Sequence, residues 1–175
     1  MKVEIHTERT VIRPYVDGDV LRIAPLLAGA PDGKGGVAVA KKEDVGAWVV
    51  RAREEHARFG TGRMAVELGN GLLIGDCGIT RERLNGSGEV EVLGVIIAPE
   101  YRRKGYGMEC ARAMLLYGMM KKGIRRVVTV VQDGDAGAEK IARGIGMTPD
   151  GESDPGTPGH RLYVISLAGI EPKKS

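Results

Sequence analysis

A short basic turn, residues 102–107, has the residue types needed to hold a ligand. It reads Arg-Arg-Lys-Gly-Tyr-Gly, follows an apolar, β-branched run at 92–97, and leads into a helical pattern from Met108 to about Lys122. Glycine permits positive φ and lets backbone N–H groups approach a ligand with no Cβ in the way. A helix that begins there presents unsatisfied N–H groups and the positive end of its dipole. The turn therefore predicts a site for a di- or polyphosphate at the end of a buried strand.

The glycine spacing excludes two common nucleotide loops. A dinucleotide fold requires G-x-G-x-x-G and an acidic residue about twenty positions further on. Here only Gly105 and Gly107 stand in order, and the next strand ends in Gln132. A Walker loop requires Gly-Lys-Ser/Thr, whereas Lys104 precedes Gly105. The residues fit the pattern Arg-x-x-Gly-x-Gly behind a strand that ends in proline.

That arrangement resembles the acyl-CoA pyrophosphate loop of the GNAT superfamily of N-acyltransferases. Three other segments are similar to the branch that contains the RimJ and RimL ribosomal-protein alanine acetyltransferases. Residues 7–14 resemble its first strand, residues 73–79 its third strand, and residues 136–147 its last helix. The resemblance implies a twisted sheet in which a parallel pair of strands splays apart.

The residue patterns by themselves predict an α/β fold with one mixed, mostly antiparallel sheet flanked by helices. Residues 126–132 return after a helix, so this strand should lie parallel to the strand at 88–98 by a right-handed crossover. Segments 28–36 and 148–160 are rich in Gly, Pro and acidic residues and are predicted to be loops. The predicted strands are 9–15, 63–68, 72–80, 88–98, 126–132 and 160–168, and the predicted helices are 17–27, 42–59, 108–122 and 136–147.

Length and composition limit the function classes. At 175 residues we expect a single domain over residues 1–175. A net charge of +3 and only 4% aromatic residues argue against nucleic acid, and no apolar run reaches the roughly 20 residues of a membrane span. Two cysteines without a close-spaced motif suggest reduced thiols and a cytoplasmic protein. The three histidines show no metal-ligand spacing, so no metal is expected.

The resemblance assigns the residues that would bind acetyl-CoA as a co-substrate. The backbone of three strand residues would bind the pantetheine arm, and an N–H near Ile97 would stabilise the oxyanion. Asp135 would meet the pantetheine amide or a substrate amine. The N–H groups of the turn would bind the diphosphate, and the side chain of Arg102 would add positive charge. The complete predicted set is Val95, Ile96, Ile97, Arg102, Arg103, Lys104, Gly105, Tyr106, Gly107 and Asp135.

The general base is sought on the strand before the loop. Related enzymes often carry a glutamate at the position that matches Val92, and the adjacent Glu91 could serve only if a β-bulge re-aims its side chain. A solvated carboxylate on an exposed face is an equal interpretation of Glu91. Glu89 and Asp76 are weaker candidates.

The general acid is harder to place, because relatives often have a serine or a tyrosine where this chain has Ala138 and Ala142. Neither alanine can transfer a proton. Three alternatives stay open: solvent protonates the thiolate, Tyr163 or Tyr117 does so, or catalysis is weak.

The leading interpretation is an N-acetyltransferase that moves an acetyl group from acetyl-CoA to a primary amine by direct attack. A protein N-terminus is the first candidate acceptor, and a polyamine or an antibiotic amine is the second. The acidic residues Asp150, Glu152 and Asp154 could attract a cationic acceptor, although a solubilising loop is an alternative. Relatives in this branch often dimerise, so a homodimer is possible, but the sequence leaves the oligomeric state open.

Two other interpretations remain. One is a catalytically weak acyl-CoA-binding module or sensor, and the other is a plain phosphate- or nucleotide-binding protein. Replacing Gly105 or Gly107 by valine should abolish cofactor binding, on the expectation that both glycines have positive φ.

Overall fold

The alternating and β-branched segments form one eight-stranded sheet in the order β1-β2-β3-β4-β5-β6-β8-β7. The computed structural model describes residues 3–28, 45–85, 88–151, 156 and 158–167. The strands are β1 Ile5–His6, β2 Thr10–Arg13, β3 Arg63–Leu68, β4 Leu73–Leu84, β5 Gly88–Ile97, β6 Arg126–Gln132, β7 Thr148–Asp150 and β8 His160–Ser166. The helices are α1 Asp19–Ala28, α2 Val45–Phe59, α3 Tyr106–Lys122 and α4 Ala136–Gly144, with a 3₁₀ turn at Pro99–Tyr101.

Neighbouring strands pair antiparallel except for β5 and β6, which are parallel. The long α3 connects these two strands, as a parallel crossover requires. The predicted mixed, mostly antiparallel sheet with flanking helices is therefore confirmed.

The sheet has a large apolar core on each face, and Val92, Val128 and Leu162 form a smaller separate cluster. Helices α3 and α4 cover one face, where buried residues such as Met114 and Ala142 pack against Ile79 and Leu93 of the sheet. Helices α1 and α2 cover the other face, where Trp48 packs with Ala65. Trp48 is buried in this core.

Several element limits differ from the prediction. Strand β4 extends to Leu84, and the short strands β1 and β7 were not predicted, because two or three residues are too few to show an alternation. Helix α4 ends at Gly144 because the chain turns there, with Gly146 at φ 94°. The predicted loop at 29–36 and the predicted start of a helix at 42–44 lie outside the described residues.

Candidate active site

The predicted phosphate turn lies between the end of β5 and the start of α3. Arg103 has φ 58° and Gly105 has φ 87°, so two residues of this six-residue turn are left-handed. Gly105 is also the N-cap of α3 and contributes no side chain to the capping position. Alternation of right- and left-handed residues points successive N–H groups into one concavity, which is a known form of anion site.

Beyond Arg102, whose N–H donates to the carbonyl of Pro99, the N–H groups of this turn have no acceptor among the described residues. The first bond into α3 runs from the N–H of Glu109 to the carbonyl of Gly105, at 3.1 Å. Within the described part of the chain, none of the N–H groups of residues 103–108 donates to a protein oxygen. Six donors at a helix N-terminus, three of them ahead of the helix, form a site suited to a diphosphate.

Gly107 does not have the positive φ that the sequence analysis expected. It lies in the first turn of α3 with an ordinary helical backbone. A Cβ at this position would lie 2.9 Å from Cδ1 of Ile141 in α4. Gly107 therefore allows α4 to approach the turn closely, and the strain argument applies to Gly105 alone.

The three basic side chains of the turn are exposed, as an anion site requires. Arg102 also donates from Nε to the carbonyl of Ile97, at 2.7 Å, and so closes the end of β5. Lys104 places Nζ 5.4 Å from the ring centroid of Tyr101. These side chains surround the turn with positive charge and form no ion pair with a carboxylate among the described residues.

Next to the turn, β5 and β6 separate. Their parallel register is limited to the pair Val92 and Val128. Immediately beyond it, the Thr129 hydroxyl, rather than a backbone N–H, donates to the carbonyl of Leu93, at 2.9 Å. The rest of β5 continues to pair with β4 up to Ile97, so the sheet opens on the β6 side only.

The direction of the β5 backbone groups determines which of the predicted pantetheine contacts can form. The N–H of Ala98 donates to Ile74 of β4, at 2.8 Å. Because successive residues of a strand point their N–H and C=O groups to opposite sides, those of Val95 and Ile97 face the opening. Those of Ile96 point to β4 and are used within the sheet. The structure therefore does not support a backbone contact from Ile96.

Asp135 is the N-cap of α4. Its carboxylate accepts from the N–H of Ala138, at 2.9 Å. The side chain is thereby fixed at the helix end, and its contact with a pantetheine amide stays a prediction.

Glu91 lies on the α3/α4 face of β5, because it alternates with Leu93, which packs in that core. The β4–β5 register is continuous from Gly88 to Ile97, so the bulge that would re-aim Glu91 is not present there. Arg81 donates from Nε to Oε1 of Glu91, at 2.9 Å. Its Oε2 is buried and has no hydrogen-bond partner among the described residues. Glu91 thus has one oxygen in an ion pair and one buried oxygen without a partner among the described residues.

The two other base candidates have different surroundings. Glu89 is exposed. Asp76 is fully buried, forms an ion pair with Arg63, and accepts a hydrogen bond from the hydroxyl of Tyr15. Burial raises the pKa of Asp76. Asp76 is therefore enclosed on the α1/α2 face of the sheet. It has a structural role there and is not open to an amine.

The candidate acids already have hydrogen-bond partners within the protein. The hydroxyl of Tyr163 donates to Glu139 of α4, at 2.9 Å, and that of Tyr117 donates to the carbonyl of Gly60, also at 2.9 Å. Tyr163 is 1% exposed. Ala142 and Tyr163 lie in the same core, and the Tyr163 hydroxyl is bonded to α4 through Glu139.

Sequence reasoning missed two features of this site. Glu109, in the first turn of α3, accepts bonds from Thr7 and Arg9 of the β1–β2 turn. Glu82 of β4, opposite Val90, shares the sheet face of Val92, accepts from the Thr80 hydroxyl, at 2.8 Å, and has a pKa raised by burial. An acidic residue in a helix first turn is a signal that could have directed attention to Glu109.

The cysteines and the potential metal ligands form no further reactive site among the described residues. Cys77 and Cys110 are buried free thiols, and burial raises the pKa of Cys110 to about 11 and that of Cys77 well above its usual value. Residues 3–28, 45–85 and 88–151, with the short described stretches that follow, contain no group of three His, Cys, Asp or Glu able to hold a metal. No helix in that same part of the chain is long and apolar enough to cross a membrane.

Comparison with known proteins gives a family match over most of the chain. Residues 9–148 match the family described as "Acetyltransferase (GNAT) domain". A Bacillus subtilis (strain 168) protein named "Uncharacterized N-acetyltransferase YnaD" is 30% identical over 59 residues. That match covers 34% of this chain and spans only 35% of the curated relative.

Solved structures share the fold at low sequence identity. The acetyltransferase from Agrobacterium tumefaciens str. C58 superposes with a TM-score of 0.80 at 22% identity, over 93% of this chain and 94% of that one. RimL, the ribosomal L7/L12 alpha-N-protein acetyltransferase solved with coenzyme A, gives a TM-score of 0.76 at 15% identity, over 94% and 98%. At these identities the likeness establishes the fold alone.

Proposed function

Because this chain belongs to the GNAT acetyltransferase family, we propose that it is an acetyl-CoA-dependent enzyme that acetylates a primary amine by direct attack. The observation that carries the proposal is the set of N–H groups at residues 103–108, beside the end of β5, that have no acceptor in the described part of the chain. An arrangement of this kind suits a ligand that combines a diphosphate with a narrow arm able to hydrogen-bond to a strand.

The chain's own groups account for binding and for charge stabilisation. The turn amides and the positive end of the α3 dipole hold the diphosphate. Val95 offers a backbone donor and acceptor to the pantetheine arm, and Ile97 offers its N–H, because the Ile97 carbonyl accepts from Arg102. The N–H of Ile97 then donates to the thioester oxygen and stabilises the negative charge that develops as the amine attacks. The C–S bond breaks with departure of the thiolate, and holding both reactants in place supplies much of the rate.

The amine must lose a proton during attack, and Glu91 is our candidate for receiving it. Its buried Oε2 has no partner among the described residues, and it lies on β5 next to Val92, the last residue paired with β6. The thiolate receives its proton from solvent or from Tyr163, whose hydroxyl lies under α4.

For the acceptor, the α-amino group of a protein is the first candidate, and a polyamine or an antibiotic amine is the second. The fold likeness to RimL, described as an alpha-N-protein acetyltransferase, favours the first. Two buried free thiols suit a reducing compartment such as the cytoplasm.

Release of free CoA thiol from acetyl-CoA tests the activity directly. We expect release with at least one class of a panel of peptides, polyamines and aminoglycosides. CoA binding without turnover on any amine would favour the non-catalytic acyl-CoA-binding module. Thermal stabilisation by ATP but not by CoA would overturn both and favour a nucleotide-binding protein.

Glu91→Gln is expected to lower kcat by roughly 100- to 10,000-fold, the range for removal of a general base, and to leave the KM for acetyl-CoA unchanged. Glu89→Gln is the matched control, because Glu89 lies two residues earlier on the same strand face and is exposed. Equal kcat values for Glu91→Gln and wild type would exclude Glu91. A loss in Glu82→Gln instead would move the base to β4, and its acid limb would then lie above the usual glutamate pKa, because burial raises the pKa of Glu82.

A further inference from the structure

The turn between β1 and β2 is fastened to the first turn of α3, about 100 residues away in sequence. The Thr7 hydroxyl donates to Oε1 of Glu109 at 2.5 Å, and the backbone N–H of Arg9 donates to the same oxygen at 2.8 Å. The Arg9 guanidinium donates from Nε to Oε2 at 2.7 Å. Both oxygens of Glu109 are therefore occupied, and we call Thr7, Arg9 and Glu109 the loop clamp.

Arg9 also contacts the phosphate turn itself. Its Nη1 donates to the carbonyl of Lys104 at 2.9 Å, and its guanidinium lies 4.4 Å from the ring centroid of Tyr106. A Cβ on Gly105 would come within 3.1 Å of Nη2. Arg9 thus fixes the peptide between the two left-handed residues, Arg103 and Gly105, with its carbonyl held by the guanidinium.

Glu109 makes the clamp necessary on electrostatic grounds. Its side chain is 16% exposed and lies in the first turn of the helix whose N-terminus forms the anion site. Although burial opposes ionisation, the bonds from Thr7 and Arg9 hold the pKa of Glu109 below its usual value. A carboxylate left uncompensated at this place would repel a diphosphate.

We infer that Arg9 is a positioning residue for the CoA loop: it neutralises Glu109 and fixes the Lys104 carbonyl so that the N–H groups of residues 103–107 converge on the diphosphate. This inference rests on the proposed function. The Arg9 guanidinium is bonded to Glu109 through Nε and Nη2 and to the Lys104 carbonyl through Nη1, so it acts on the turn rather than on the acetyl group or the acceptor. Its effect is therefore confined to the affinity for CoA.

Titration calorimetry with CoA tests the clamp by comparing Arg9→Ala with the double variant Arg9→Ala/Glu109→Gln. In Arg9→Ala, the Glu109 carboxylate beside the helix N-terminus is no longer neutralised. CoA binding should therefore weaken by roughly tenfold. The double variant should regain part of that affinity, because the uncompensated carboxylate is gone. In kinetics, Arg9→Ala should raise the KM for acetyl-CoA and leave kcat and the acceptor KM unchanged.

The outcomes separate the clamp from the proposed function. A wild-type chain that does not bind CoA overturns both. A wild-type chain that binds CoA, with Arg9→Ala binding equally well, overturns the clamp alone. So does a double variant that binds no better than Arg9→Ala. Arg53→Ala is the control, since Arg53 is an exposed arginine paired with Asp17 on the α1/α2 side. Arg9→Met, with and without Glu109→Gln, provides the same comparison if Arg9→Ala does not fold.

Discussion

Replacing Gly105 by valine is expected to leave no measurable CoA binding. Gly105 has φ 87°, and a left-handed backbone costs an L-residue about 1–2 kcal/mol, more when it is β-branched. The added side chain would also meet the Arg9 guanidinium, 3.1 Å from the position of its Cβ. Either the turn changes conformation, and its N–H groups no longer converge, or the clamp opens. Titration calorimetry with CoA measures the loss.

Gly123→Val is the matched control for this result. Gly123 caps the other end of α3, has φ 68°, and would place its Cβ in open space. The two variants share the same backbone strain, so both should lower the melting temperature, but Gly123→Val should bind CoA like the wild type. Normal CoA affinity in Gly105→Val would refute the anion site at this turn.

Replacing Asp76 by alanine is expected to reduce the free energy of unfolding by about 3–5 kcal/mol, the usual effect of breaking a buried ion pair. Arg63 is 5% exposed and would keep a buried charge without its carboxylate. The buried hydroxyl of Tyr15 would lose its acceptor as well. Urea unfolding, followed by circular dichroism, measures the change.

The double variant Arg63→Met/Asp76→Leu separates two effects: the cost of leaving Arg63 as an unpaired buried charge, and the loss of the attraction between the two charges. Because both charges are removed, it should be more stable than Asp76→Ala. A double variant less stable than Asp76→Ala would contradict this account.

The raised pKa of Asp76 determines how the contribution of this residue to stability changes with pH. Burial raises the pKa of Asp76 above its usual value of 3.8, so the folded protein holds this proton more tightly than the unfolded chain. Its contribution to stability therefore declines as the pH rises from about 3.8 through the folded pKa. Asp76→Asn should remove that decline, and stability curves measured across this range would show it.

Most of the phosphate turn, with β5 before it and α3 after it, could be predicted from the sequence, because the signals of these elements are local. A β-branched run, a glycine-spaced basic turn and a helical repeat occupy one continuous stretch, and each has its own pattern. Strand β6 was located for the same reason, as seven residues dominated by valine.

What could not be predicted depends on contacts between distant segments. The bonds from Arg9 to Glu109 join residues 100 apart, and no periodicity reports them. The direction of the Ile96 backbone follows from its pairing with Asp76 on β4, which alternation alone does not define. The helical φ of Gly107 reflects where α3 begins, two residues before the predicted start.

The early separation of β5 and β6 leaves part of the β5 backbone without a strand partner on the β6 side. The N–H and C=O groups of Val95 and the N–H of Ile97 face a gap where another strand would ordinarily pair with them. A pantetheine arm that fills the gap would act as the missing strand and restore continuity between the two halves of the fold. Coenzyme A would then stiffen the whole domain, and amide exchange along both β5 and β6 should slow when it binds.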